Sequence, residues 1–245
     1  MRSSHRARSD VRCLRHGPNQ PVVTPDPHWQ THNRVMPPTW MLDLALATAA
    51  LVMALALRPW RAVGAAGPPW PWLAWAAVLP LMWGADRYTA MPIVQPLSGA
   101  ALLVLCAGWP LAVLVLVPVA AVTGWMGDLG WTEGLHRAVW LGMVPATLTL
   151  GLGALVRRAL PHHLFVYILG RGFFATLLAA TLAGAGAMLL SPLPAGISAE
   201  DLLLARGLAA SGEAFITGML VAIFVAFRPH WLATYSDRLY LQPLL

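Results

Sequence analysis

Apolar residues come in long runs separated by short polar breaks, with neither the strict alternation of strands nor the broad polar face of a soluble helix. Seven runs stand out, at about 40–57, 70–84, 93–107, 110–126, 136–156, 164–190 and 207–227. A helix crossing about 30 Å of hydrocarbon needs roughly 20 residues. The last three runs meet that length, while the second, third and fourth are short. The pattern predicts an all-α, polytopic transmembrane helical bundle of about seven helices. "GWP" (108–110) marks a tight break between the third and fourth runs. "MPIVQPLSG" (91–99), with two prolines in five residues, reads as an unwound entry. Such backbone persists at membrane depth only when protein or a water-filled cavity covers it.

Residues 1–39 break the pattern. They hold six arginines, four histidines and no apolar period. They read as a disordered basic tail with no signal-peptide core, and Met36 or Met41 offers an alternative start. The transmembrane domain is expected over 40–228, followed by a cytoplasmic tail over 229–245.

Composition agrees with lipid as the solvent: 58% of residues are hydrophobic and 11% charged, against about a quarter charged in soluble domains. All sixteen basic residues are arginine. Without lysine there is no phosphate-loop ATPase and no Schiff-base chemistry in this chain. Cys13 and Cys106 sit in unlike settings, so neither a disulfide nor a CxxC site is expected. No cofactor is expected. The high isoelectric point reflects arginines that mark one side of a membrane, and nucleic acid is not expected as a partner. Arg58, Arg61, Arg157, Arg158, Arg228 and Arg238 follow the first, fifth and seventh runs. The alternate loops, 127–134 and 191–201, are acidic or neutral. Seven crossings in the inner membrane place the arginines in the cytoplasm and the amino terminus outside. Six crossings, with the amino terminus inside, are the alternative if the basic tail is real. Most of the twelve tryptophans lie near helix ends, as an interfacial belt requires.

Chemistry concentrates in the last run. Ala210, Ala214, Gly218, Ala222 and Ala226 recur every four residues, a ladder of small side chains that allows close helix packing in lipid. The sixth run carries a similar ladder from Ala175 to Ala187. The ladders serve either packing of these two helices or docking of a partner. Glu213 and Thr217 flank the small residues and are expected to face protein. Two accounts of Glu213 stay open: an ion pair with Arg137, or a place in an outward cavity holding a cation or proton. Asp43, Asp86, Asp128 and Glu133 map to the same side, individually as solvated loop charges and collectively as an attraction for cations. His136 is a further ligand candidate. No HExxH or HxH spacing declares a metal site.

Three stretches together resemble the energy-coupling factor transporter permease family, kin of the cobalt/nickel-transport membrane subunits. They are "PHHLFVYILGRGFF" (161–174), "GEAFITGMLVAIFVAFRPHWLATYSD" (212–237) and "GDLGWTEGLHRAVWLGMVP" (127–145). The resemblance implies a membrane subunit that captures a small solute, with cobalt or nickel as examples. It also implies a coupling transmembrane subunit and cytoplasmic ATPases as partners. The chain departs from the family pattern where it lacks a Met-His start and carries Gln95 in place of histidine, a poor ligand for nickel or cobalt. The expected site is Glu213 with Asp128 and Gln95 along an outward cavity. A non-transporting membrane module, an assembly factor or a sensor input domain, is the alternative. An intramembrane enzyme is not expected, because no dyad lies at one depth.

Overall fold

A computed structural model describes residues 39–61, 70–88, 96–190, 198–236 and 240. The basic tail, up to residue 38, and Gln95 lie outside the described residues. Every regular element among the described residues is helical. The order is α1 (Thr39–Ala56), α2 (Trp70–Trp83), α3 (Ala85–Tyr88), α4 (Ala100–Ala107), α5 (Trp109–Met126), α6 (Trp131–Arg137), α7 (Val144–Ala159), α8 (Ala175–Leu190) and α9 (Ala199–Phe227). Two π-helical stretches, Ala138–Met143 and Val166–Phe174, lead into α7 and α8.

Five helical stretches are long and apolar enough to cross a membrane: Thr39–Ala56, Trp109–Met126, Trp131–Ala159, Val166–Leu190 and Ala199–Phe227. The expected count of about seven spanning helices is therefore not confirmed among the described residues. The second run forms α2, of 14 residues, and the third is helical only over the 8 residues of α4. The fifth and seventh helices start earlier than expected. Residues 131–134, expected as part of a loop, are helical. The polar stretch from Ala199 joins α9 because the Ser198 side chain caps it, accepting the Asp201 N–H at 3.1 Å.

The outward faces are apolar. Val52 and Met53 on α1, Phe215 and Met219 on α9, and Leu189 on α8 are all exposed. Water would not tolerate so continuous a surface, whereas acyl chains match it. These are the features of a multi-pass membrane protein.

α4 is the innermost element, and all eight of its residues are buried. Small and aliphatic side chains all round are what a helix surrounded by helices requires. Gly99, at φ 64°, turns the chain into it, in a left-handed conformation that glycine adopts without a Cβ clash. Gly108, at φ 80°, turns it out into α5, so the "GWP" break is real. Trp75 and Trp83 of α2 fix the entry by donating their indole N–H groups to the carbonyls of Gly99 and Ser98, each at 2.8 Å.

α9 crosses the π stretch before α8 at two glycines. A Cβ on Gly172 would lie 3.3 Å from the Val221 Cβ and 3.4 Å from the Gly218 Cα. One on Gly218 would lie 3.3 Å from the Phe173 Cβ. Dispersion between closely spaced backbones supplies the contact. Past Phe227 the chain does not leave as a free tail: Leu232 and Tyr240 are buried, and Ala233 and Thr234 return to α4.

Candidate functional site

α4 is a half-length helix, about 12 Å long at 1.5 Å per residue, with both ends inside the bundle. Its first N–H groups and last carbonyls lack partners within the helix, and no bulk water is there to satisfy them. Glu213 answers the first end. Its Oε2 accepts the Ser98 N–H and its Oε1 the Gly99 N–H, both at 3.0 Å. The Ser98 hydroxyl accepts the Ala100 N–H at 3.1 Å. A carboxylate at a helix amino end also meets the positive end of the helix dipole. Glu213 itself is 5% exposed.

The far end is closed by the chain beyond α9. The Ala233 N–H donates to the Cys106 carbonyl at 3.1 Å, and the Thr234 N–H to the Leu105 carbonyl at 3.3 Å. The Thr234 hydroxyl donates to the same Leu105 carbonyl at 3.1 Å and lies 2.8 Å from the Tyr167 hydroxyl. The buried Arg171 donates to the Thr234 carbonyl at 3.2 Å, and its guanidinium carbon lies 5.4 Å from the Tyr167 ring centre. One polypeptide stretch, α9 and its extension, thus holds both ends of α4.

Beside Glu213 lies a small cavity of about 20 Å³, lined by Ser98, Trp140, Ala180, Gly184, Arg206 and Ala210 among others. It has room for about one water molecule. A second cavity of about 210 Å³ shares Pro96, Trp140, Leu141, Gly184 and Arg206 with it and adds Asp86, Glu133, His136 and Arg137. Together they form a vestibule that ends at Glu213. Trp140 and Leu141 reach it from the first π stretch, a feature often found at functional sites.

The charges around this vestibule are organised in pairs. Arg137 donates to both carboxylate oxygens of Asp86 (2.8 and 2.6 Å), to Glu133 at 2.9 Å, and to the Trp83 carbonyl. Arg87 donates to both oxygens of Glu133, at 2.6 and 2.8 Å. The Arg137 hydrogen bond holds the Asp86 carboxyl below its ordinary value, against a smaller opposing effect of burial. Asp43, only 2% exposed, accepts the Trp140 indole N–H at 2.8 Å and lies 2.9 Å from the His136 Nδ1.

These contacts correct several expectations. Arg137 does not pair with Glu213: α3 and α6 bring Asp86 and Glu133 to it first, and backbone N–H groups occupy the Glu213 oxygens. Asp43 is buried, and Asp86 and Glu133, though still partly exposed, are bonded to arginine side chains, so none of the three is a free loop charge. Asp128 is exposed at φ 48° in the turn after α5 and lines neither cavity. His136 lines the outer cavity but is tied to Asp43. Thr217 is buried on the packing face of α9. The alanine ladder does not stay on one face. Steps of four residues advance about 40° per step, or about 160° from Ala210 to Ala226. Ala210, Ala214 and Gly218 are therefore buried, Ala222 is half-buried and Ala226 exposed.

Arg206 was not singled out from the sequence, although a signal for it existed. Positions 206, 210, 213, 214 and 217 fall on one helical face, so an arginine two turns before Glu213 shares its cavity wall. Among the described residues, no group of three or more His, Cys, Asp or Glu side chains is placed to hold a metal ion. Comparison of the chain with protein-family models, curated proteins and solved structures returned no match.

Proposed function

We propose that this protein is a permease-type membrane subunit that captures a small solute, in the manner of energy-coupling factor transporters of the inner membrane. The reading rests on one observation: a fully buried half-helix whose amino end meets a buried carboxylate at the floor of a vestibule. Solute sites of transporters favour such interrupted helices, because their unsatisfied backbone groups can be shared with a ligand. Glu213 is then the floor of the site and Trp140 its wall. The chain carries no phosphate-loop lysine, so energy would come from partner ATPases through a coupling membrane subunit, as the resemblance implies. Cobalt and nickel remain the solutes that the resemblance implies. The vestibule does not strengthen that choice, because its acidic groups are already engaged by arginines and backbone N–H groups.

The test is uptake in cells that depend on this protein, with Glu213→Gln compared against the parent. Gln keeps one acceptor for α4 but removes the charge. Transport predicts lost uptake of the dependent solute with the protein still present in the membrane. Copurification of an ATPase from native membranes would support the same reading.

One observation favours a second reading. Both oxygens of Glu213 already accept a backbone hydrogen bond, which is sufficient reason for a carboxylate there in a non-transporting membrane module. That reading predicts unchanged phenotype in Glu213→Gln wherever the fold survives, and no ATPase in the purified complex.

A further inference from the structure

One cation in the vestibule has no anionic counterpart among the described residues. Arg137 and Arg87 are bonded to Asp86 and Glu133, His136 to Asp43, and Glu213 to two backbone N–H groups. Arg206 makes a single hydrogen bond, from Nη1 to the Gly184 carbonyl, and no carboxylate lies within 4.0 Å of it among the described residues. Its Nε is buried and has no acceptor among the described residues.

The side chain is nevertheless positioned. It lies across α8 at Gly184, where a Cβ would meet the Arg206 Cβ, Cγ and Cδ at 3.5–3.8 Å. Arg206 lines both cavities of the vestibule. Trp140 also lines both. A Cβ on Gly186 would come within 2.8 Å of the Trp140 ring, so this glycine leaves the space the indole occupies. Gly184 and Gly186, two residues apart on α8 and so about 200° apart around it, thus leave room for the Arg206 side chain and the indole respectively.

A guanidinium partly withdrawn from water and offered one neutral carbonyl is poorly compensated, whereas an oxyanion supplies both charge and fork geometry. Asp86 and Glu133 are neutralised by Arg137 and Arg87, and Asp43, which lines neither cavity, is buried with its two oxygens turned to the Trp140 indole N–H and to His136. Glu213 lies about 10 Å further along α9 and is bonded to N–H groups.

The geometry points to Arg206 as the recognition element for a ligand bearing an oxyanion, a carboxylate or phosphate, bound in the vestibule against Trp140. This rests on the solute-capture reading above and gives the solute a chemical class. A phospholipid headgroup carries the same chemistry, so the experiment must separate the two sources.

The full-length protein is placed in phosphatidylcholine nanodiscs and its tryptophan fluorescence is titrated with iodide, an anionic quencher, and with caesium, a cationic one. The difference from a Trp140→Phe variant isolates the vestibule signal. Iodide is expected to quench the Trp140 signal saturably, with phosphate or succinate competing, and caesium is not. Arg206→Gln should weaken the iodide response roughly tenfold or more, as expected for loss of a charge-assisted contact. Arg206→Lys should retain most of it, which guards against misreading a folding defect. The assignment is overturned if caesium is the effective quencher, if neither ion quenches, or if Arg206→Gln responds like the parent. Adding phosphatidylglycerol to the discs distinguishes the sources. Displacement of iodide by that lipid, but not by succinate, would overturn the solute assignment in favour of a headgroup. Caesium quenching would leave transport standing with a cationic solute, whereas saturable iodide binding without cellular uptake would sink transport and leave the site.

Discussion

The two ends of α4 solve the same problem with different chemistry. At the amino end, one carboxylate from 114 and 115 residues away accepts two backbone N–H groups. At the carboxyl end, backbone N–H groups of Ala233 and Thr234 donate to the Cys106 and Leu105 carbonyls, and the Thr234 hydroxyl adds a further bond. The first closure depends on a single ionisable side chain at the floor of a cavity. The second is made largely of backbone, which side-chain truncation does not remove. The vulnerable and chemically addressable end of the half-helix is therefore the one that faces the vestibule.

The largest effect is expected from Glu213→Ala. It leaves two buried N–H groups unsatisfied, at about 1–3 kcal/mol each, or about 2–6 kcal/mol together. Thermal unfolding in nanodiscs should show a large drop in midpoint, with Glu213→Gln intermediate because one acceptor survives. A Glu213→Ala protein no less stable than a Thr234→Ala protein would abolish the contrast between the ends.

Arg137→Met should follow, at about 1–3 kcal/mol, because it removes the donor to both oxygens of Asp86 and leaves Glu133 to Arg87 alone. This variant carries a pH signature. The Asp86 carboxyl is held below its ordinary value of 3.8, so its contribution is complete above that pH and is lost as pH falls through the folded value. The stability gap between parent and variant should narrow below pH 3.8, and thermal midpoints across an acid series would show it.

Gly172→Val sharpens the comparison differently. Its Cβ would sit 3.3 Å from the Val221 Cβ, displacing the helix that delivers both closures. Overpacking of this kind costs about 1–3 kcal/mol. Hydrogen exchange should then report faster opening at both ends of α4, whereas Glu213→Ala should open chiefly the amino end. The smallest effect belongs to Thr234→Ala, about 1 kcal/mol, since it removes the hydroxyl but keeps the N–H bond to Leu105. A larger loss would mean that the Tyr167 and Arg171 cluster, more than the backbone, holds the carboxyl end.

The apolar runs were legible along the chain because lipid imposes a composition on each helix separately, without reference to its neighbours. Breaks such as Gly108 were legible for a related reason: left-handed backbone selects glycine locally. The burial of Glu213 could also be read, from small residues one turn either side of it. Its partners could not. A backbone N–H carries no residue signature, so nothing in "PLSG" announces an end that needs a distant carboxylate. The same holds for Asp43, whose burial follows from Trp140 and His136 arriving from a helix 93 to 97 residues away.

The sequence by itself determined the apolar cores of the long helices, though not where they begin, that their outer faces suit lipid, and that a carboxylate sits in an apolar helix. Only the tertiary structure decided which charges meet: that Arg137 belongs to Asp86 and Glu133, that Glu213 belongs to the amino end of α4, and that Arg206 has no carboxylate of its own among the described residues. The physical reason is that hydrophobicity acts through each residue's own surface. Charge and hydrogen bonding instead act over a few ångströms, between groups that only the packing of helices brings together.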